Sequence, residues 1–207
     1  MYKFIIISFT LFFLFSCKEN PEDIFRYNKN PQYTHGDVIF YGDYYSDYGN
    51  PNYVFSLSLL SDSLNVNNSG RFEGIGQNLT ITDIFTSPSE VFLQDGTYTV
   101  SDSGEPFTFY KGEIMRIDSV DYILGAYIYF IEKNSNFSKI QLIDGGSFTV
   151  SNSVIGTTGI TQTITCDFTL DDNSKLTGTF SAELPYYDQS IGIFPVINRY
   201  KQLKIKN

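Results

Sequence analysis

Ile160-Thr161-Gln162-Thr163-Ile164-Thr165-Cys166-Asp167-Phe168-Thr169-Leu170 is the stretch whose reading decides the fold. Ile160, Ile164, Cys166, Phe168 and Leu170 fall on one side, and Thr161, Thr163, Thr165, Asp167 and Thr169 on the other. Side chains alternate across a strand, so this pattern predicts a strand with one buried and one wet face. Asp171-Asp172-Asn173-Ser174 follows, a cluster of turn-forming residues. Beyond it Leu176, Gly178, Phe180, Ala182 and Leu184 alternate with Lys175, Thr177, Thr179, Ser181 and Glu183. Two alternating runs joined by a short polar connection predict a β-hairpin.

Outward from this hairpin the pattern stays β. Tyr53-Val54-Phe55-Ser56-Leu57-Ser58-Leu59 places Phe55, Leu57 and Leu59 on one face. No stretch after residue 16 sustains apolar residues at helical spacing, although Pro88-Ser89-Glu90 has room for a helical turn. The expectation is an all-β domain spanning 37–207, an antiparallel β-sandwich, with a closed or partly open antiparallel β-barrel as the alternative. An internal echo runs through it. Leu93-Gln94-Asp95-Gly96-Thr97-Tyr98-Thr99-Val100-Ser101-Asp102-Ser103 recurs as Leu142-Ile143-Asp144-Gly145-Gly146-Ser147-Phe148-Thr149-Val150-Ser151-Asn152-Ser153. Each copy reads as an Asp-Gly turn opening a strand, which gives two similar hairpin units.

The N-terminus reads differently. One lysine, Lys3, precedes an apolar run from Phe4 to Phe15, shorter than the roughly 20 residues a spanning helix needs. A charged start, an apolar middle and a small residue before the cut describe a signal peptide over residues 1–16. Leu14-Phe15-Ser16-Cys17 resembles a bacterial lipobox, which implies a diacylglyceryl group on Cys17 and attachment to a membrane; the alternative is an ordinary signal with an incidental cysteine. Residues 17–36, with Asn20-Pro21 and Asn30-Pro31, read as a tether. The charges of Lys18-Glu19 and Glu22-Asp23 resemble an outer-surface export signal, the alternative being a plain solvated tether. The Asp-Gly-Thr-Tyr-Thr-Val run, the Phe-Thr-Val run and the Asp-Phe-Thr-Leu hairpin together resemble uncharacterised Bacteroidetes-type cell-surface lipoproteins. That resemblance implies an all-β domain behind a lipid anchor in the outer membrane, exposed at the surface or facing the periplasm. It brings no catalytic residues with it.

Composition narrows the chemistry. The 207-residue chain carries a net charge of −9, and four of its 14 basic residues crowd the C-terminus as Arg199, Lys201, Lys204 and Lys206. Such a chain lacks the basic stripe that nucleic-acid phosphates require. With Cys17 lipidated, Cys166 has no partner for a disulfide. The single histidine, His35, stands alone, with no spacing that suggests a metal site or a nucleophile–base pair. No phosphate-binding glycine loop is present, and no cofactor is expected. Most aspartates sit beside Gly, Ser or Asn in turn-like contexts, although paired carboxylates remain the one chemistry open to an enzyme.

The unusual stretch is Tyr41-Gly42-Asp43-Tyr44-Tyr45-Ser46-Asp47-Tyr48-Gly49-Asn50-Pro51-Asn52-Tyr53. It reads as a loop between strands. Tyr41, Tyr44, Tyr45, Tyr48 and Tyr53 offer rigid amphipathic rings, and Asp43, Asp47, Asn50 and Asn52 offer hydrogen-bonding partners beside them. The same residues suit a cover over one end of the core, rings inward and hydroxyls in water. Three functions follow: a non-catalytic binding module for an extracellular glycan, peptide or protein, a structural component of a surface assembly, or a carboxylate-based hydrolase.

Overall fold

The structure, a computed structural model, describes residues 28–131 and 138–190. Cys17, residues 1–16 read as a signal peptide, most of the segment read as a tether, and Arg199, Lys201, Lys204 and Lys206 lie outside the described residues. The described chain is all-β: among the described residues there is no α-helix, and one 3-10 turn spans Ser46–Tyr48.

Thirteen strands occur in chain order: β1 Gln32–Gly42, β2 Tyr53–Ser61, β3 Asn65–Val66, β4 Phe72–Glu73, β5 Gly76–Thr86, β6 Gly96–Val100, β7 Thr108–Phe109, β8 Glu113–Ile117, β9 Val120–Leu124, β10 Ala126–Ile131, β11 Ser138–Ile155, β12 Gly159–Leu170 and β13 Lys175–Asp188. The hairpin expected over residues 160–184 is β12–β13, in unbroken register from Gly159↔Pro185 to Thr169↔Lys175. Its connection closes through Asn173 N–H to the Leu170 carbonyl at 2.9 Å, with Asn173 at φ +64°. Cys166 and Phe168 are buried, while Thr161, Thr165 and Asp167 are exposed. Gln162 shares the inward face and is fully buried. Its amide donates to the Leu93 carbonyl at 2.8 Å and to Ser153 Oγ at 2.7 Å, and its oxygen accepts from the Tyr186 hydroxyl at 3.4 Å. Those bonds offset the cost of burying an amide.

The large sheet has nine strands and closes on itself. From β10 the ladders run through β11, β12, β13, β1, β2 and β5, and β5 returns to β10 with Ile128 opposite Leu79. Of the two architectures expected, this ring is the barrel. Past β10, the outer halves of β11 and β5 pair instead with β6 and β7, which pair with each other. The lumen is packed, not hollow: Phe55, Leu57, Leu79, Ile81, Phe109, Phe130, Phe148, Cys166, Phe168 and Phe180 belong to one apolar core.

Three expectations need correction. The sheet is mixed, because β1 runs parallel to β13 and β6 parallel to β7. The tether does not reach residue 36, since β1 begins at Gln32, and the Lys29 and Pro31 carbonyls already accept bonds from Thr177 N–H and Thr179 N–H. The open edge of β13 captures this segment. Finally, the echo copies are not two hairpin units but partners. Thr97-Tyr98-Thr99 of β6 lies antiparallel to Ser147-Phe148-Thr149 of β11, with the Tyr98 and Phe148 rings stacked at 4.7 Å. Asp144-Gly145-Gly146 is a bulge inside β11, with Gly146 at φ +102°. An Asp-Gly pair suits a turn or a bulge, and here the strand continues through it. Pro88-Ser89-Glu90 forms an isolated turn, Glu90 N–H to the Ser87 carbonyl at 3.1 Å.

Candidate functional site

Two small hairpins, β3–β4 and β8–β9, stand against the outer face of the barrel over β1, β2, β5 and β10. Between them lies a cleft of about 200 Å³. Its floor is built by strand alternation. Leu79 and Ile81 point into the core, so Asn78, Thr80 and Thr82 point out; Ser56 and Ser58 do the same beside Leu57. Asp37, Ile39 and Tyr41 come from β1. The walls are Phe72 of β4, Ile123 of β9, and Tyr127 and Tyr129 of β10. Phe72 leans on Tyr129 with ring centroids 5.7 Å apart.

The floor is tied together by its own hydrogen bonds. Asn78 Nδ2 donates to Ser58 Oγ at 2.9 Å, and Thr80 Oγ1 donates to Asn78 Oδ1 at 2.9 Å. Burial, opposed by a hydrogen bond with Thr80, pushes the Tyr127 phenol up, so it stays a neutral hydroxyl at ordinary pH. Hydroxyls and amides held this way keep spare lone pairs and fixed directions.

A second cleft of about 380 Å³ takes part of its lining from residues next in sequence to the first, Asp83 after Thr82 and Leu124 after Ile123. Tyr45, Asp83, Asp102, Tyr110, Lys111, Glu113, Leu124 and Gly125 line it. A β-bulge sets the boundary between the two. Phe55 of β2 faces Ile84 and Leu57 faces Ile81, so Thr82 and Asp83 together oppose Ser56. Asp83 takes φ +50°, which a short polar side chain tolerates better than most. Its carboxylate is buried; it accepts the Tyr45 hydroxyl at 2.7 Å and the Thr82 hydroxyl at 2.8 Å. Burial, together with the charges of Asp83 and Asp102, pushes the Tyr110 phenol up.

The Tyr41–Tyr53 stretch, a loop only over 43–52 because its ends belong to β1 and β2, divides between its two expected roles. Tyr41 lines the first cleft and Tyr45 the second. Tyr45 also packs on Phe85 and Tyr110, with centroids at 5.9 and 6.4 Å, and Tyr44 packs edge-on against Tyr45. Tyr53 meets Phe40 edge-on at 5.3 Å. Asn50 and Asn52 are staples: both amides donate to the Gly104 carbonyl, at 3.0 and 2.9 Å. Asp43, Asp47 and Tyr48 project into solvent, Tyr48 at 78% exposure. The loop therefore covers one corner of the barrel and lends two rings to the clefts. Most of the lining sits on β1, β5 and β10, strands whose faces sequence reasoning did not assign. The available signal was the alternation Asn78-Leu79-Thr80-Ile81-Thr82, which marks an outward polar row but not the hairpins that wall it.

Elsewhere, His35 is exposed, with Nδ1 2.9 Å from Thr34 Oγ1. Cys166 is buried, and burial pushes its thiol up, away from the reactive thiolate. Among the described residues, no three His, Cys, Asp or Glu side chains are grouped to hold a metal ion. No protein family, curated protein or solved structure matches the chain.

Proposed function

We propose that the chain is a lipid-anchored, non-catalytic binding module, attached through Cys17 to the outer membrane and taking an extracellular glycan, peptide or protein on the outer face of its barrel. The observation that supports this reading is the first cleft: aromatic walls and a hydroxyl-and-amide floor carried on rigid strands, not on loops. Ligand sites of this kind combine apolar faces with a few directed polar groups. The test is a cleft-filling substitution, Ser56→Trp, on the floor of the cleft. Screened against glycan and peptide arrays, wild type should bind and the variant should not, with melting temperatures within a few degrees. Equal binding by both would reject the cleft.

A second reading, a structural component of a surface assembly, draws on β8. Ile114, Met115 and Ile117 on that strand are all at least 40% exposed. Exposed apolar residues concentrated on one element suit an interface. Under this reading, replacing all three by Ser abolishes co-purification with a partner while Ser56→Trp does not.

A further inference from the structure

We infer that the two clefts are subsites of one linear groove that binds a neutral oligosaccharide, a conclusion that rests on the binding-module reading above. The bulge in β5 carries the argument. In a regular strand Thr82 and Asp83 would face opposite sides, and only one could meet a ligand on the outer wall. Because both oppose Ser56, both turn outward: Thr82 into the first cleft, Asp83 into the second. The hydrogen bond between their side chains ties the two clefts at their junction. Bulges that re-aim side chains in this way gather next to functional sites. From Asn78 to Asp83 the strand advances about 17 Å, enough for several sugar rings in line.

Charge excludes anionic ligands. The two linings together hold Asp37, Asp83, Asp102 and Glu113 against one cation, Lys111. Lys111 itself lies 3.9 Å from Asp144. Uronates, sulfated sugars and acidic peptides are repelled by such a surface. Hydroxyl-rich neutral chains are not: carboxylates and the Ser, Thr and Asn groups accept from or donate to sugar hydroxyls, and Tyr129 and Tyr110 are among the lining residues.

The test is calorimetric titration of the full-length chain in detergent with cello-, xylo-, manno- and malto-oligosaccharides of two and six units. A hexauronate serves as the charged comparator. The groove predicts a hexamer of at least one neutral series binding about tenfold or more tighter than its dimer. Thr80→Val and Asp102→Asn should each weaken the hexamer about tenfold, whereas the dimer responds to only one of them. A dimer as tight as the hexamer, or a hexauronate as tight as the neutral chains, overturns the inference. Failure of the two readings is distinguishable. If no sugar binds but an extended peptide does, and Ser56→Trp blocks it, the glycan inference falls and the module stands. If nothing binds in a way that depends on the cleft, both fall.

Discussion

Tyr45 and Tyr48 lie three residues apart in the same loop and have opposite fates. The Tyr45 ring is half-buried among aromatic neighbours and its hydroxyl serves Asp83, whereas Tyr48 stands 78% exposed. Tyr48→Ala should therefore leave stability within about 0.5 kcal/mol. Tyr45→Ala should cost about 2 kcal/mol, less than a fully buried ring, and Tyr45→Phe about 1 kcal/mol for the lost bond to a buried carboxylate. Melting curves of the three variants check this ordering, and equal losses at Tyr48 and Tyr45 would contradict it. Cys166 gives a second residue-scale test. In a Cys17→Ala chain it is the sole thiol, and a maleimide should label it only after denaturation. The face it occupies was legible from the Ile160–Leu170 alternation alone. The role of Tyr45 was not, because its partner Asp83 lies 38 positions away in sequence.

Strand faces read well from sequence where pairing is local, as in β12–β13, and poorly where one strand changes partner. β5 serves β10 over one half and β7 over the other, and the bulge at Thr82-Asp83 sits at that change. No periodicity announces it. Likewise Gly145-Gly146 reads as a turn until the partner strand shows that β11 continues past it. A Cβ at Gly146 would run into the Asp167 carbonyl, and φ +102° disfavours any L side chain. Gly146→Ala should accordingly cost about 2 kcal/mol or more, lowering the melting temperature by about 4 °C or more. The β8–β9 hairpin invites the opposite change. Asp118 and Ser119 both take positive φ, +48° and +65°, the geometry of a type I′ turn that Asn-Gly fits best. The double substitution Asp118→Asn, Ser119→Gly should slow hydrogen exchange across Met115–Tyr122. Faster exchange would show that the native pair holds the turn by other means.

At the scale of the molecule, the ring from β10 to β5 makes the outer wall a continuous surface, and two added hairpins make part of that wall concave. Alternation pointed to an all-β chain and to a polar outer face; closure did not show, because ladders such as β5–β10 join residues about fifty positions apart. The opposite wall, β12 and β13, presents rows of Thr and Ser, with Thr163 and Ser181 hydroxyls 3.0 Å apart, and among the described residues no hairpin walls it. Binding should therefore be one-sided. Amide chemical-shift mapping of the labelled full-length chain, with neutral cello-, xylo-, manno- and malto-hexaoses added in turn, tests this most directly. The account predicts that perturbations from whichever sugar binds cluster at Asp37–Tyr41, Ser56–Ser58, Asn78–Asp83 and Tyr127–Tyr129, while Thr161–Asp167 and Thr177–Ser181 stay still; shifts centred on that second set, or absent with every sugar, would contradict it.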